Sequence, residues 1–314
     1  MLSAQDVLHR IQNLKVLVIG DGILDRYIFG NVKRISREAP LPVFDVEHVE
    51  DRLGGACNTA LNARQFAEEV KIITLWGNDP AAVSLKSLLA EHLIDTSLSL
   101  CFENYKTTVK ERFVAKKQQK SLLIERLKEG VEWCDCILAS DHGTTFFFTE
   151  VFNLFDELYS SGLVGLSRKP FFLDTRANNY SKISYCSLLK VNQADGASIL
   201  GREIKGFADL LDFSSKVEKE KKVELLVVTL GERGCYLKGP NLNQCYDAQA
   251  VEISDVSGAG DTFLAIFALI YTATQQDALA ARLANKAGAR VVQRFGTSVL
   301  KKEELLQDLQ STLI

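Results

Sequence analysis

The sequence predicts an α/β protein: a doubly wound, mostly parallel sheet flanked by helices, with a small β-sheet lid over one end. Three observations lead there. Short apolar runs alternate with helical stretches over most of the 314 residues. The run at 225–230 (LLVVTL) is β-branched and unbroken, as suits a strand buried on both faces. Two segments, 43–49 and 98–125, are polar, β-prone and alternating, the pattern of exposed antiparallel strands and hence of the lid.

The elements follow in order. Residues 1–14 are an amphipathic helix with Ser3 as N-cap and Asp6 completing a capping box. Residues 15–20 (KVLVIG) form a buried strand bounded by Gly20-Asp21-Gly22. A helix at 56–68 stands behind Gly54-Gly55, a strand follows at 70–76, and 81–92 is helical with Pro80 in its first turn. Strands are expected at 136–139, 171–174 and 187–191, with a helix at 149–159 between the first two. After the 225–230 strand, helices at 260–272, 277–294 and 302–313 complete the pattern. The mixed-sign run 216–224 is a solvated face.

Composition bounds the function. Hydrophobic content of 46% and charged content of 25% predict a packed core, and a net charge of −3 argues against nucleic acid as the partner. Seven cysteines are scattered without C-x-x-C spacing and read as buried thiols in a reducing compartment. Cys134 and Cys136 lack a histidine at ligand spacing, so core packing is preferred to metal. The N-terminal segment does not have the form of a signal peptide, and the longest apolar stretch, 263–271, falls short of a membrane span. A cytoplasmic protein with no membrane partner is expected.

Four places just after strands carry candidate chemistry, because open α/β sheets bind ligands there. In Asp255-Val256-Ser257-Gly258-Ala259-Gly260-Asp261-Thr262-Phe263, small residues precede a carboxylate and an apolar run. A turn opening a helix would offer unpaired N–H groups and the positive dipole end to a phosphate, with Asp261 placed to accept a hydroxyl proton. The plainer reading is a Gly-rich cap. Asp25 could accept from two sugar hydroxyls, or pair as a turn carboxylate with Arg26. Gly54-Gly55 with Asn58 could pack bare backbone and an amide against a sugar, or make a tight turn. Thr229, Gly231 and Gly234 could meet nucleotide phosphates or ribose, or form a hairpin turn.

With these residues in their order, the chain resembles the ribokinase (PfkB) family of carbohydrate kinases over nearly its whole length. Within that family it is most similar to the bacterial heptose-7-phosphate kinases, through Leu24-Asp25-Arg26-Tyr27, Ile35-Ser36-Arg37-Glu38-Ala39-Pro40-Leu41-Pro42-Val43, Leu53-Gly54-Gly55-Ala56 through Asn58, and Gly296-Thr297-Ser298. Thr108, Lys110, Arg112 and Gln118-Gln119 resemble its lid. The resemblance implies a ribokinase-like fold over 1–314, with the lid at about 36–50 and 98–125. It implies Asp261 as base and Gly258, Ala259 and Gly260 as anion hole. Asp25, Gly54, Gly55, Asn58, Lys110, Arg112 and Asp141 would hold the substrate. Asn192, Thr229, Gly231, Gly234 and Asn285 would surround ATP, with Asp195 reaching Mg²⁺ through water; K⁺ is a further cofactor the resemblance admits. The implied reaction is ATP-dependent phosphorylation of D-glycero-D-manno-heptose 7-phosphate at its anomeric hydroxyl, toward ADP-heptose and lipopolysaccharide. The basic residues Lys110, Arg112, Lys116 and Lys117 would suit a phosphorylated sugar, although Lys116, Lys117 and Lys120 could equally keep a hairpin soluble. A homodimer through the lid would cover its strand edges.

The chain departs from the family at Asn192-Gln193-Ala194-Asp195, where relatives have N-x-x-E, and at Ser140-Asp141-His142-Gly143-Thr144-Thr145, where they have S-D-Y and then K-G. It also has Ile124-Glu125-Arg126-Leu127 where relatives carry an arginine followed by an acidic residue. Two rivals therefore stand: a kinase for another sugar, and a binding protein without turnover. The nucleotidyltransferase domain that accompanies some relatives is not expected here.

Overall fold

Ser3 opens the first helix as its spacing predicts. Its hydroxyl accepts from the Asp6 N–H at 3.1 Å and the Asp6 carboxylate accepts from the Ser3 N–H at 3.0 Å, a reciprocal cap on α1 (Ala4–Gln12). The computed structural model describes residues 3–35, 42–110, 120–143, 146, 149–240, 242–249, 251–252, 254–294 and 298–313. After α1 come β1 (Lys15–Gly20), a long hairpin of β2 (Gly22–Ile35) and β3 (Pro42–Gly55), then α2 (Ala56–Arg64), β4 (Glu69–Ile73), β5 (Leu75–Gly77) and α3 (Pro80–Glu91). Next are β6 (Leu100–Phe102), β7 (Thr108–Val109), α4 (Lys120–Trp133), β8 (Cys136–Ser140), α5 (Thr149–Ser160), β9 (Phe171–Asp174), β10 (Tyr185–Asn192), α6 (Gln193–Leu200) and α7 (Phe207–Glu220). β11 (Lys222–Thr229), β12 (Cys235–Gly239), β13 (Leu242–Tyr246), α8 (Ala259–Thr274), α9 (Asp277–Val291) and α10 (Lys302–Leu313) follow.

Eight strands form the central sheet in the order β13-β12-β11-β10-β9-β8-β1-β4. The six from β11 to β4 are parallel, and β12 and β13 are antiparallel. Strand pleating divides the core: Val16 and Val18 join one apolar cluster, with α1, α2, α8, α9 and α10, while Leu17 and Ile19 join the other, with α4, α5 and α7. Helix α8 is buried on all sides from Phe263 to Tyr271, which explains its continuous apolar run. The order reverses at β1, which pairs with β4 on one side and β8 on the other. Gly20 and Ser140 lie side by side at the carboxyl ends of β1 and β8, and a crevice at such a switch point is where α/β sheets bind ligands.

The second sheet is β3-β2-β7. Residues 22–35, read from sequence as beginning in a ligand loop, form a strand that pairs with β3 from Gly22–Gly55 to Ile35–Pro42. The expected single antiparallel stretch at 98–125 is not what forms. Among the described residues of that segment only Thr108–Val109 joins β2, in parallel; Leu100–Phe102 pairs with β5 in a separate ribbon, and α4 begins at Lys120. The expected strand 70–76 breaks at Thr74, because the Thr74 N–H donates to Ser99 Oγ (3.1 Å) and its carbonyl accepts from Leu100, turning the chain toward β6. Residues 36–41, 111–119, 144–145 and 296–297, and with them Arg112, Lys116, Lys117 and Gln118-Gln119, lie outside the described residues.

Candidate active site

Gly258 caps α8 with φ +79°, a left-handed conformation that favours glycine, and so turns the chain into the helix. Thr262 N–H makes the first helical bond to Gly258 O (3.0 Å), while Ala259 N–H turns back to Val256 O (3.3 Å). Gly260 and Asp261 lie in the first turn, where backbone N–H groups have no intrahelical acceptor. A Cβ on Gly260 would lie 3.2 Å from Lys190 Nζ and 3.8 Å from Asp174 Oδ2, so a buried ammonium stands directly beside the anion turn. Lys190 donates to Asp174 at 2.5 Å. Burial raises the Asp174 carboxyl above its ordinary value, and Lys190 only partly opposes that.

Asp261 is buried at the bottom of this turn. Its Oδ2 accepts from Asn58 Nδ2 at 3.1 Å, and its Oδ1 is approached by Thr59 Oγ1 (3.3 Å), Ser140 Oγ (3.5 Å) and His142 Nε2 (3.6 Å). Burial pushes its pKa up, but His142, Asn58 and Lys190 outweigh burial and hold it below the ordinary carboxylate value. In this arrangement Asp261 is therefore a carboxylate at neutral pH. Asn62 ties the support together, donating to Asn58 O and Oδ1 while accepting from Thr262 Oγ1.

Asp25, on β2, faces the same space. Arg26 pairs instead with Asp51, at 2.7 and 2.9 Å, so the turn-pair reading of Asp25 fails. Lys110 Nζ stands 3.6 Å from Asp25, and a Cβ on Gly54 would touch the Asp25 carboxylate at 2.8 Å. Burial raises the Asp25 pKa, with Lys110 opposing and Asp261 adding to the rise. Asp25, Gly54, Gly55, Asn58, Lys110 and Asp261 thus gather from β2, β3, α2, the end of β7 and α8. Asp141 is buried but internally committed: it accepts from Thr175 Oγ1 (2.6 Å), Asn179 Nδ2 (2.8 Å) and Gly143 N (2.8 Å), which makes it a scaffold for the β8 end.

On the other side, Asn192 and Thr229 lie side by side at the carboxyl ends of β10 and β11. Asn192 caps α6, accepting from Asp195 N (2.8 Å) and donating to Asp195 Oδ2 (2.7 Å). Asp195 also accepts from Arg176 (3.2 Å) and Ala177 N (3.0 Å), so both its oxygens are already held and it does not fit as a direct Mg²⁺ ligand. Among the described residues no group of three or more His, Cys, Asp or Glu is placed to hold a metal. Gly231 and Gly234 form the hairpin turn between β11 and β12, and a Cβ on Gly234 would meet Tyr246 O at 2.0 Å. Asn285 donates to the carbonyls of Tyr246 (3.3 Å) and Asp247 (2.8 Å), tethering the strand end beside that turn. Sequence reasoning missed Thr59, Asn62, Asp174, Lys190 and the approach of His142 to Asp261; a lysine inside the apolar run of β10 was the signal available.

The pfkB family carbohydrate kinase profile matches residues 149–304. The D-beta-D-heptose 7-phosphate kinase of Bordetella bronchiseptica is 34% identical over 304 residues, covering 94% of this chain and 96% of that protein. The chain belongs to the pfkB family of carbohydrate kinases. As a family member it carries a phosphotransferase site, and the turn at Gly258 with Asp261 is the part of the geometry that suits one. The chain is also 29% and 31% identical to the proteins named bifunctional protein HldE of Campylobacter curvus and Aeromonas salmonicida, of whose lengths it spans 66% and 63%. The fold is ribokinase-like: phosphofructokinase-2 of Escherichia coli superposes with a TM-score of 0.76 at 16% identity over 96% of this chain and 99% of that one. Arabidopsis thaliana ribokinase, solved with ribose and ATP, superposes at 0.73 with 15% identity, covering 95% of this chain and 99% of that one.

Proposed function

We propose that this chain transfers the γ-phosphoryl group of ATP to the anomeric hydroxyl of D-glycero-D-manno-heptose 7-phosphate, giving the 1,7-bisphosphate and ADP. The observation that carries the chemistry is a buried, ionised Asp261 in the first turn of α8, with Lys190 beside Gly260. The D-beta-D-heptose 7-phosphate kinase of Bordetella bronchiseptica, which aligns over nearly both lengths, supports a heptose 7-phosphate as the sugar. Asp25 and Asn58 hold the hydroxyls around the acceptor, and Asp261 takes the hydroxyl proton late, since a loose transition state asks little of the base. The sugar oxygen forms the new P–O bond as the bond to the ADP oxygen breaks, and the helix N-terminus with Lys190 stabilises the charge on the moving group. Mg²⁺ bound with the ATP would supply neutralisation of the phosphate charge. No step is assigned to Asp195, and K⁺ remains a candidate activator.

Lys110 meets the 7-phosphate, and the β3-β2-β7 sheet acts as the lid. Ile28 and Val49, cross-strand neighbours each 51% exposed, form an apolar patch that a second copy of the chain would cover in a homodimer. Among the described residues no helix is long and apolar enough to cross a membrane, and we place the enzyme in the cytoplasm, where ATP is made. The test is phosphorylation of a panel of heptose 7-phosphate, fructose 6-phosphate, ribose and fructose. Asp261→Asn should lose turnover on the order of 10³-fold while still binding ATP. Turnover on fructose 6-phosphate or ribose alone would replace the substrate and keep the mechanism. Wild-type turnover by Asp261→Asn would remove the base.

A further inference from the structure

Among the groups around Asp261, His142 is the one whose charge changes near neutral pH. Its Nε2 lies 2.9 Å from Ser140 Oγ and 3.6 Å from Asp261 Oδ1, and the ring stands at the rim of the site, its side chain 22% exposed. Asp21 fixes its backbone, accepting from the His142 N–H at 3.2 Å. The arrangement is not a nucleophile triad. Serine and aspartate both approach the same ring nitrogen, so the imidazole cannot be oriented through Nδ1 by one while taking a proton from the other.

Two protonation states of this ring have different consequences for the base. The imidazolium needs an anion, and Asp261 Oδ1 is the nearest carboxylate oxygen. The neutral ring can accept from Ser140 Oγ–H and leave Oδ1 to another donor. Resting on the kinase reading above, we propose that His142 controls access to the catalytic base: protonated, it holds Asp261 Oδ1 in an ion pair; neutral, it turns to Ser140 and releases that oxygen to the sugar hydroxyl. His142 is in this sense a positioning residue.

The charges facing the ring come from several elements. Asp261 on α8, Asp174 on β9 and Asp21 after β1 favour the imidazolium, and the ring in turn acts on Asp25 of β2. Lys190 on β10 is the opposing cation, paired with Asp174 and also acting on Asp261. Burial pushes the imidazole down, but the three carboxylates outweigh it, leaving the ring above its ordinary 6.5. The exchange between the two states therefore lies above the pH at which a free imidazole titrates.

The experiment has two arms on the full chain. The first follows the ring Cε1–H resonances by NMR from pH 5 to 9 without substrate. The chain has four histidines, so His142→Gln identifies the resonance by its loss. The midpoint should lie above 6.5 and move down in Asp261→Asn. The second arm measures kcat/KM for the sugar over the same range. Wild type should lose about tenfold per pH unit below the NMR midpoint, and His142→Gln should be flat there. A midpoint unmoved by Asp261→Asn, or an acid limb that persists in His142→Gln, overturns the proposal. The arms separate the two claims: silence on every sugar with the NMR coupling intact counts against the kinase reading, and turnover without coupling counts against His142.

Discussion

Gly54 and Gly55 are neighbours in sequence, but alanine at each should fail in a different way. A methyl group at Gly54 would lie 2.8 Å from Cγ and Oδ1 of Asp25 and 3.0 Å from its Oδ2. Ordinary contact begins at 3.4 Å, so the carboxylate must retreat by roughly 0.6 Å, the difference between the two distances. Gly54 has no left-handed backbone, so the fold itself tolerates alanine there. A displacement of about 1 Å at a reacting centre costs on the order of 10²-fold. A shift of roughly 0.6 Å then predicts a loss near tenfold in kcat/KM for the sugar, about 1.4 kcal/mol.

Gly55 has φ +55°, and its methyl would sit 2.5 Å from the Asp21 carbonyl oxygen, a backbone atom that cannot swing aside. The left-handed conformation alone costs about 1–2 kcal/mol. With the clash the loss should reach about 3 kcal/mol, which lowers the melting temperature by roughly 5 °C in a chain of this size. ADP release at varied sugar concentration and calorimetric melting read the two effects separately. If Gly54→Ala keeps kcat/KM within about twofold, Asp25 does not hold the sugar. If Gly55→Ala melts within about 1 °C of wild type, the strain argument at that turn is wrong.

Lys190→Met leaves the partly buried Asp174 without its cation and should cost about 3 kcal/mol of stability. Adding Asp174→Asn should restore most of the melting temperature while single-turnover transfer stays down on the order of 10²-fold; recovery of transfer along with stability would make the pair merely structural. Asn285→Ala removes the amide that donates to Tyr246 and Asp247, and should raise KM for ATP several-fold, about 1 kcal/mol, with KM for the sugar unmoved in initial-rate measurements. Iodoacetamide at pH 8 should label the exposed Cys101 first, by mass spectrometry, and spare Cys57, whose thiol burial pushes up to about 12.

The central strands were legible because stretches covered on both faces must be apolar, as 16–19 in β1, 136–139 in β8 and 225–228 in β11 are. β2 escaped because it leaves the main core at Gly22 and mixes Asp25, Arg26 and Lys33 into its run, so no single period marks it. On one side of the site, order and spacing singled out Asp25, Asn58 and Asp261, and the fold brings them together from β2, α2 and α8. The nucleotide side shows the limit of that reading. Sequence identifies an amide at Asn285 and a carboxylate at Asp195, but their hydrogen bonds go to Tyr246, Asp247, Arg176 and Ala177, partners that only the fold brings within reach.

Charge balance across the site leads to a last prediction. Asp21, Asp25, Asp174 and Asp261 converge on it, with Asp21, Asp25 and Asp261 buried, and among the described residues the facing cations are Lys110, Lys190 and, when protonated, His142. Lys190 is committed to Asp174 and Lys110 lies beside Asp25, so among the described residues these carboxylates leave little positive charge uncommitted. The N-terminus of α8 adds roughly half a positive charge. ATP without a divalent ion brings several negative charges into this field, and each close approach to an uncompensated carboxylate costs on the order of 1 kcal/mol or more at a partly wet site. ATP in EDTA should therefore bind at least about tenfold more weakly than MgATP, measured by calorimetry with no sugar present. Equal affinities would mean that the chain's own cations suffice to neutralise the phosphates, and that Lys190 is not held by Asp174 once the nucleotide arrives.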